Sequence, residues 1–255
     1  MMQGRLTLAI ETSNPTAAAE GSGMSVALGR MSEVGLEPLG EEPVRAGARG
    51  RAAGASAIRV SGGSGGEGDD DLVPAIDRLC ARTGLGPTDL RGGRVAVAVG
   101  PGGYTGLRVA CAVGKMIAEG SGAACVAVPT AAVALAGDSH GERVKRAVAL
   151  ASKNDTAWVW VEGEPDASVG RVLCAADVPL LASEGVRALI ADAHLPMAMR
   201  EACVHAGIVV RPPALSAAAC LAASAAFPDI DPADLVPIYA REPDAVTQWR
   251  ARARA

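Results

Sequence analysis

The chain of 255 residues has few aromatic residues, few histidines and no long apolar run. Phe, Tyr and Trp together make up only 2% of it, so Ala, Val and Leu must fill the core of a chain that is 49% hydrophobic. No segment has the roughly 20 consecutive apolar residues that a membrane-spanning helix needs, and no signal peptide precedes the first apolar segment. We therefore expect a cytoplasmic chain with no membrane partner.

The scarce residues also exclude two kinds of hydrolytic site. The three histidines, at 140, 194 and 205, are too far apart to give two metal ligands on one helix face. Asp138, Ser139 and His140 are adjacent, which does not allow the geometry of a catalytic triad, and no nucleophile elbow is present. The six cysteines form no Cys-x-x-Cys pair, which favours buried free thiols over disulfides or metal ligands. We predict no metal site and no protease site.

The charge of the chain argues against unaided binding of nucleic acid. The net charge is −4 and the isoelectric point is near 5.5, whereas nucleic-acid-binding surfaces are basic. Trp158 and Trp160 share one face of a predicted strand, which favours core packing over base stacking. Arg250, Arg252 and Arg254 make the end of the chain basic, which is more typical of a solvated terminus than of an RNA contact.

A strand, a glycine-rich turn and a helix at Val95–Glu119 are the most distinctive segment. Val95–Val99 has the valine-rich pattern of a strand buried on both faces, and Gly100–Gly103 ends it. Thr105 is predicted to cap a helix that begins at about Gly106. The turn lacks the Gly-Lys-Ser/Thr of a Walker A loop and the third glycine of the dinucleotide fingerprint.

Small residues recur every four positions along this helix, so they share one face. They are Gly106, Ala110, Gly114 and Ala118. Two interpretations are open: packing on the chain's own sheet or a neighbouring helix, and docking of a second chain. Arg108 either holds an anion or a partner carboxylate, or forms a surface ion pair. If the face docks a partner, Gly114→Arg should block docking and leave the fold largely intact.

The order of predicted elements is that of a ribonuclease-H-like α/β domain followed by a looser repeat. Strands are predicted at 6–10, 24–28, 34–39, 95–99, 125–128, 144–151, 157–162, 169–174 and 208–210. Helices are predicted at 72–83, 106–119, 130–136, 180–194, 214–226 and 244–255. We expect one domain at 1–140, with a flexible Gly/Ser- and Asp-rich insert near 45–71. A smaller, degenerate domain at 141–255 would end in a tail that packs back on the first.

Several motifs together resemble the bacterial TsaB (YeaZ) family. They are LTLAIETS at Leu6–Ser13, SVALG at Ser25–Gly29, VAVGPGGYTGLRVACAVGKMIA at Val97–Ala118, CVAVPTAAVALA at Cys125–Ala136, ALASKNDTAWVW at Ala149–Trp160 and VPIYAR at Val236–Arg241. The third is similar to the family's GPGSFTGLR motif. The resemblance implies two actin-like halves of the ASKHA fold, the second degenerate.

The resemblance also implies a role as a non-catalytic scaffold. Such proteins pair with the catalytic TsaD protein and the ATPase TsaE, which modify tRNAs reading ANN codons with a threonylcarbamoyl group on adenosine. It implies no cofactor on this chain, with ATP and metal on the partner subunits, tRNA contact only through the complex, and a homodimer in isolation.

Two sets of residues carry these implied roles. The partner interface would comprise Leu72, Ile76, Leu79, Gly106, Leu107, Arg108, Ala110, Cys111, Gly114, Met116 and Ala118. A vestigial phosphate loop would comprise Glu11, Thr12, Ser13, Gly100, Gly102 and Gly103. Two alternatives stay open: a structural homodimer, and an active phosphotransferase of the ASKHA type, in which Glu11 would orient Mg²⁺ or a water.

Overall fold

The structure is a computed structural model that describes residues 4–13, 23–32, 35–44, 71–140, 144–241, 249–250 and 252. Within these residues the chain forms two five-stranded sheets, each the centre of one lobe. The insert predicted near 45–71, apart from Asp71, and most of the helix predicted at 244–255 lie outside the described residues.

The first lobe is a mixed sheet with helices on its faces. Its elements are β1 (Arg5–Glu11), β2 (Ser25–Ser32), β3 (Gly35–Pro43), α1 (Leu72–Thr83), β4 (Arg94–Gly100), α2 (Tyr104–Ser121), β5 (Ala124–Pro129) and α3 (Thr130–Gly137). The strand order is β3-β2-β1-β4-β5. β1 and β2 form an antiparallel pair, as do β2 and β3, whereas β4 lies parallel to both β1 and β5.

The second lobe repeats this topology with shorter helices. Its elements are β6 (Lys145–Lys153), β7 (Thr156–Val161), β8 (Arg171–Cys174), α4 (Val178–Ser183), β9 (Val186–Ala191), α5 (Met197–His205), β10 (Val209–Arg211) and α6 (Ala217–Ala223). The order β8-β7-β6-β9-β10 matches the first sheet strand for strand, with the same parallel and antiparallel pairs. The predicted α/β fold with two related halves is confirmed.

Three predictions of local structure were wrong. The helix predicted at 180–194 is the short helix α4 followed by the central strand β9, because Gly185 takes a φ of +88° between them and the apolar run after it is buried. Helix α5 was missed. Helix α2 begins at Tyr104 after Gly103, so Thr105 lies inside it and does not cap it.

Ala, Val, Leu and Ile fill most of the core, as the composition requires. One buried cluster joins the first sheet to α1 and α2, and another joins both sheets through α3 and α6. Trp158 and Trp160 belong to this second cluster and are only 3% and 6% exposed, so they are core residues and are not available for base stacking. All six cysteines are free thiols; four are buried, as predicted, whereas Cys80 and Cys174 are half-buried.

Candidate functional site

The glycine turn after β4 packs directly against the end of β1. The amide of Gly103 donates a hydrogen bond to the Ser13 carbonyl, and the Thr12 hydroxyl donates one to the Gly106 carbonyl at 2.9 Å. A Cβ atom at Gly102 or Gly106 would collide with the carbonyl oxygens of Ser13 and Thr12. The glycines therefore allow two backbone segments to touch.

This contact brings together the residues predicted as a vestigial phosphate loop. The Gly103 amide, which a phosphate would require, already binds the Ser13 carbonyl. The cavity beside Thr12 and Gly106 measures about 10 Å³, roughly the space of one water molecule. The described residues thus show a closed contact here, and a phosphate-binding role stays a prediction.

Glu11 is a buried carboxyl group at the end of β1. Only 1% of the residue is exposed. Its Oε1 accepts hydrogen bonds from the Ser13 amide and hydroxyl, both at 2.6 Å, while its Oε2 has no partner among the described residues. Burial raises the pKa of Glu11 to about 7, against the opposing effect of the Ser13 hydrogen bonds. Burial thus favours the neutral, protonated form of this carboxyl group.

The ladder of small residues on α2 packs on the chain's own sheet. Ala110, Gly114 and Ala118 are buried, and a Cβ atom at Gly114 would lie 2.7 Å from Val97 Cγ2 and 3.2 Å from Leu235 Cδ2. Of the two interpretations, packing on the chain's own sheet therefore describes this face. The expectation that Gly114→Arg leaves the fold largely intact was wrong, because the new side chain would enter the core.

One flank of α2 borders an apolar groove of about 270 Å³ that it shares with α1. Val73 from α1 and Met116 from α2 are 45% and 61% exposed. We call this surface the α1–α2 groove; it is lined by Leu8, Val73, Ile76, Asp77, Cys80, Leu90, Val113, Met116, Ile117, Gly120 and Ser121. Nearly all of its lining is apolar, which is unusual for a helix surface that faces water.

The residues predicted as a partner interface divide between exposed and buried positions, and of the set only Ile76 and Met116 line the α1–α2 groove. Arg108 and Met116 are exposed, and Gly106 is half-buried. The remaining ones are buried within the lobe: Leu72, Ile76, Leu79, Leu107, Ala110, Cys111, Gly114 and Ala118. Most of the set therefore lies on the buried faces of α1 and α2 and packs inside the first lobe.

Arg108 lies between both tyrosines of the chain at the start of α2. Its guanidinium carbon is 3.9 Å from the centre of the Tyr104 ring, and its Nε donates to the Tyr239 hydroxyl at 2.9 Å. This hydrogen bond raises the pKa of Arg108. Within the described residues Arg108 forms no ion pair with a carboxylate, so the surface ion pair is not formed there. Tyr239 was missed as a site residue, although the rarity of tyrosine was a usable signal.

The other polar clusters do not form a recognisable catalytic site in the described part of the chain. His140 Nδ1 lies 2.9 Å from Asp138 Oδ1, but no hydroxyl or thiol of a described residue is hydrogen-bonded to this imidazole. The described ranges contain no group of three His, Cys, Asp or Glu side chains arranged to hold a metal ion. No helix within those ranges is both long and apolar enough to span a bilayer.

Comparisons with known proteins relate the chain to one family and one fold. A family model of TsaD, described as tRNA N6-adenosine threonylcarbamoyltransferase, matches residues 69–172. The crystal structure of an uncharacterised protein with similarity to peptidase YeaZ, from Pseudomonas aeruginosa, matches 93% of this chain and 100% of its own, with 18% identity and a TM-score of 0.61. YeaZ from Pseudomonas aeruginosa matches 91% of this chain and 100% of its own, with 18% identity and a TM-score of 0.56.

No curated protein matches the chain in sequence. At 18% identity the solved structures establish the fold, and the family model adds sequence similarity over the central part of the chain. The resemblance to the TsaB (YeaZ) proteins is thereby confirmed at the level of fold.

Proposed function

We propose that this YeaZ-like chain is a scaffold subunit of the machinery that adds threonylcarbamoyl groups to tRNA, and that it docks to a TsaD-like catalytic subunit through the α1–α2 groove. The observation that carries the proposal is the groove itself. It is an apolar surface on two long helices, with Val73 and Met116 exposed to water. A surface of this kind is stabilised when a partner covers it.

The similarity to TsaD supports the choice of partner. The matched residues 69–172 include α1, β4 and α2, the elements that build the groove. A TsaD-family subunit would therefore present a related pair of helices. Two related helix pairs can pack face to face in the manner of a symmetric dimer, because each surface complements a copy of itself. The same reasoning predicts a homodimer of this chain when the partner is missing.

The remaining parts of the proposal concern what the chain leaves to its partners. ATP and metal ions would bind to the TsaD-like subunit and to a TsaE-like ATPase, and this chain would carry no cofactor. It would contact tRNA only through the complex, in keeping with its net charge of −4. In this proposal the chain positions the catalytic subunit and performs no chemical step.

Met116→Arg tests the docking surface without disturbing the core. Met116 is 61% exposed, so the variant should fold normally and place a charge within the groove. We expect it to lose co-purification with the TsaD-like subunit of the same genome, because an unpaired charge would be desolvated at the interface. The homodimer should weaken in parallel, as measured by light scattering.

The matched control is Val204→Arg, an equally drastic change at a 75% exposed residue of α5 in the second lobe. Binding by this control together with loss of binding by Met116→Arg would support the docking surface. Equal binding by both variants would contradict it. A wild-type chain that forms only homodimers would favour the structural alternative.

Glu11 favours one second candidate, an active phosphotransferase of the ASKHA type. Its buried Oε2 has no partner among the described residues and lies at the carboxyl end of β1, where ligands bind in open α/β sheets. Titration calorimetry with ATP and Mg²⁺ distinguishes the two. Heat of binding that disappears in Glu11→Gln would favour the phosphotransferase, and the closed contact between Ser13 and Gly103 leads us to expect none.

A further inference from the structure

The residues after the last turn, 235–241, run across both lobes, and we call them the tail strap. The strap begins in the core of the first lobe. Leu235 is fully buried and packs beneath α2, where its Cδ2 would lie 3.2 Å from a Cβ atom at Gly114. Just before it, Lys115 of α2 donates to the Ala233 carbonyl at 3.0 Å. The strap is thus attached to the buried face of the helix that also borders the groove.

The middle of the strap is attached to the carboxyl end of β4 and the first turn of α2. The Ile238 amide donates to the Val99 carbonyl at 2.7 Å. Tyr239 accepts the hydrogen bond from Arg108, and its ring centre lies 5.2 Å from that of Tyr104. These contacts hold the strap where the glycine turn leads into α2.

The end of the strap binds the second lobe. Arg241 Nη1 donates to the Ala151 carbonyl at 2.6 Å, and Nη2 donates to the Thr156 hydroxyl at 2.6 Å. These acceptors flank the turn between β6 and β7, where Ala151 has a φ of +51° and the strand register shifts. A single side chain therefore ties the strap to an irregular hairpin of the other sheet.

We propose that the tail strap couples the docking helix α2 to the β6–β7 hairpin of the second lobe, so that a partner seated on α2 also orders that hairpin. The proposal rests on the proposed function for the identity of the partner. We infer the coupling from one continuous segment that contacts α2, β4 and the hairpin within seven residues. A shift of the first turn of α2 moves Tyr239, and through the strap it moves Arg241.

Amide hydrogen exchange on the isolated chain tests the coupling. Arg241→Ala removes only the contact with the second lobe. We expect the exchange rates of the Ile238 amide and of amides in the first turns of α2 to rise about tenfold. This is the change expected when local opening becomes easier by roughly the contribution of one hydrogen bond. Tyr239→Phe, which keeps the ring and removes the hydroxyl group, should raise exchange at the β6–β7 hairpin.

Arg171→Ala is the matched control, because Arg171 is bound to Glu184 by two hydrogen bonds of 2.8 Å in the second lobe and contacts no part of the strap. It should leave the Ile238 amide and α2 unchanged. Faster exchange that stays within the β6–β7 hairpin in Arg241→Ala would overturn the coupling.

A second arm adds the TsaD-like subunit. Exchange at the hairpin should slow in the wild-type complex and remain fast in the Arg241→Ala complex. If no complex forms, the proposed function fails, while the first arm still decides whether the strap couples the lobes. If a complex forms and the hairpin responds equally in both proteins, the coupling is wrong and the docking proposal stands.

Discussion

The two lobes have the same strand order but very different helices. In the first lobe α1 has 12 residues and α2 has 18; their counterparts in the second lobe, α4 and α5, have six and nine. Helices α4 and α5 are short and pack on their sheet, whereas α1 and α2 are longer and border an apolar groove between them. With the same strand order in both sheets, the lobes therefore differ mainly in the length of these two helices, and the α1–α2 groove lies between the long pair.

The turns that follow the central strands differ as well. In the first lobe backbone meets backbone, with the Gly103 amide bound to the Ser13 carbonyl. In the second lobe the buried carboxylate of Asp192 closes the turn after β9 by accepting a hydrogen bond from the His194 amide at 2.9 Å. The first turn is thus held by a hydrogen bond between two backbone segments, and the second by a buried side chain.

Gly114→Arg should cause the largest loss of stability, because it disrupts the close packing of α2 on the first sheet. The new side chain would meet Val97 and Leu235 in the core, and we expect a loss of roughly 4 kcal/mol or more of unfolding free energy, or no folded protein. Urea unfolding measures it. Ala112→Arg on the exposed side of the same helix should change stability by less than about 0.5 kcal/mol. Equal tolerance of both variants would mean that α2 does not pack as described.

Arg94→Ala should be the next most damaging. Arg94 is 8% exposed, and it binds Asp229 and the carbonyls of Ser224 and Phe227, which fastens the segment after α6 to the first sheet. Asp229 is 39% exposed and also pairs with Arg5, so it stays partly solvated, and we expect a loss of roughly 3 kcal/mol, at the lower end for a buried pair. Arg171 of the second lobe is half-exposed, so Arg171→Ala should lower the free energy of unfolding by less than about 1 kcal/mol. Thermal and urea unfolding should show a larger loss of stability for Arg94→Ala than for Arg171→Ala. Equal losses of stability in the two variants would contradict this difference between the lobes.

Glu11→Gln should stabilise the chain, and only at higher pH. Burial raises the pKa of Glu11 from its ordinary 4.5 to about 7. The folded state therefore holds a proton that the unfolded state releases, so stability is complete below pH 4.5 and falls as pH rises through 7. The neutral variant avoids this loss, which amounts to about 3 kcal/mol at pH 8. Unfolding at pH 4.5 and pH 8 checks the sign, and a gain that is equal at both pH values would refute it.

Asp192 offers the matching test in the second lobe. Its pKa is also raised by burial, against opposing hydrogen bonds from the His194 and Ala151 amides. Asp192→Asn should therefore show a pH dependence of the same sign as Glu11→Gln. A pH dependence of opposite sign would show that hydrogen bonds outweigh burial in this turn.

The first lobe was more predictable from sequence than the second. Its strands β4 and β5 are continuous apolar runs, and α1 was predicted with the bounds Leu72–Thr83 that the structure has. In the second lobe β9 was taken for helix because a buried central strand and a buried helix segment have the same apolar composition. Helix α5 was missed because only Met199 and Cys203 of its residues are buried, too few for a clear period.

The site was less predictable than the fold. The spacing of Gly106, Ala110, Gly114 and Ala118 placed them correctly on one face but left open which surface that face meets. Only the contact of Gly114 with Val97 and Leu235 decides it. Tyr239 meets Arg108 across 131 residues of chain, a separation that no local pattern encodes.

We propose that α1 and α2 of the first lobe, and not their short counterparts, dock a TsaD-like subunit. Hydrogen exchange of the wild-type chain with and without that subunit tests this docking most directly. We expect slower exchange along α1 and α2 on complex formation, with α4 and α5 unchanged. Protection confined to α4 and α5, or a complex that leaves α1 and α2 as accessible as before, would contradict it.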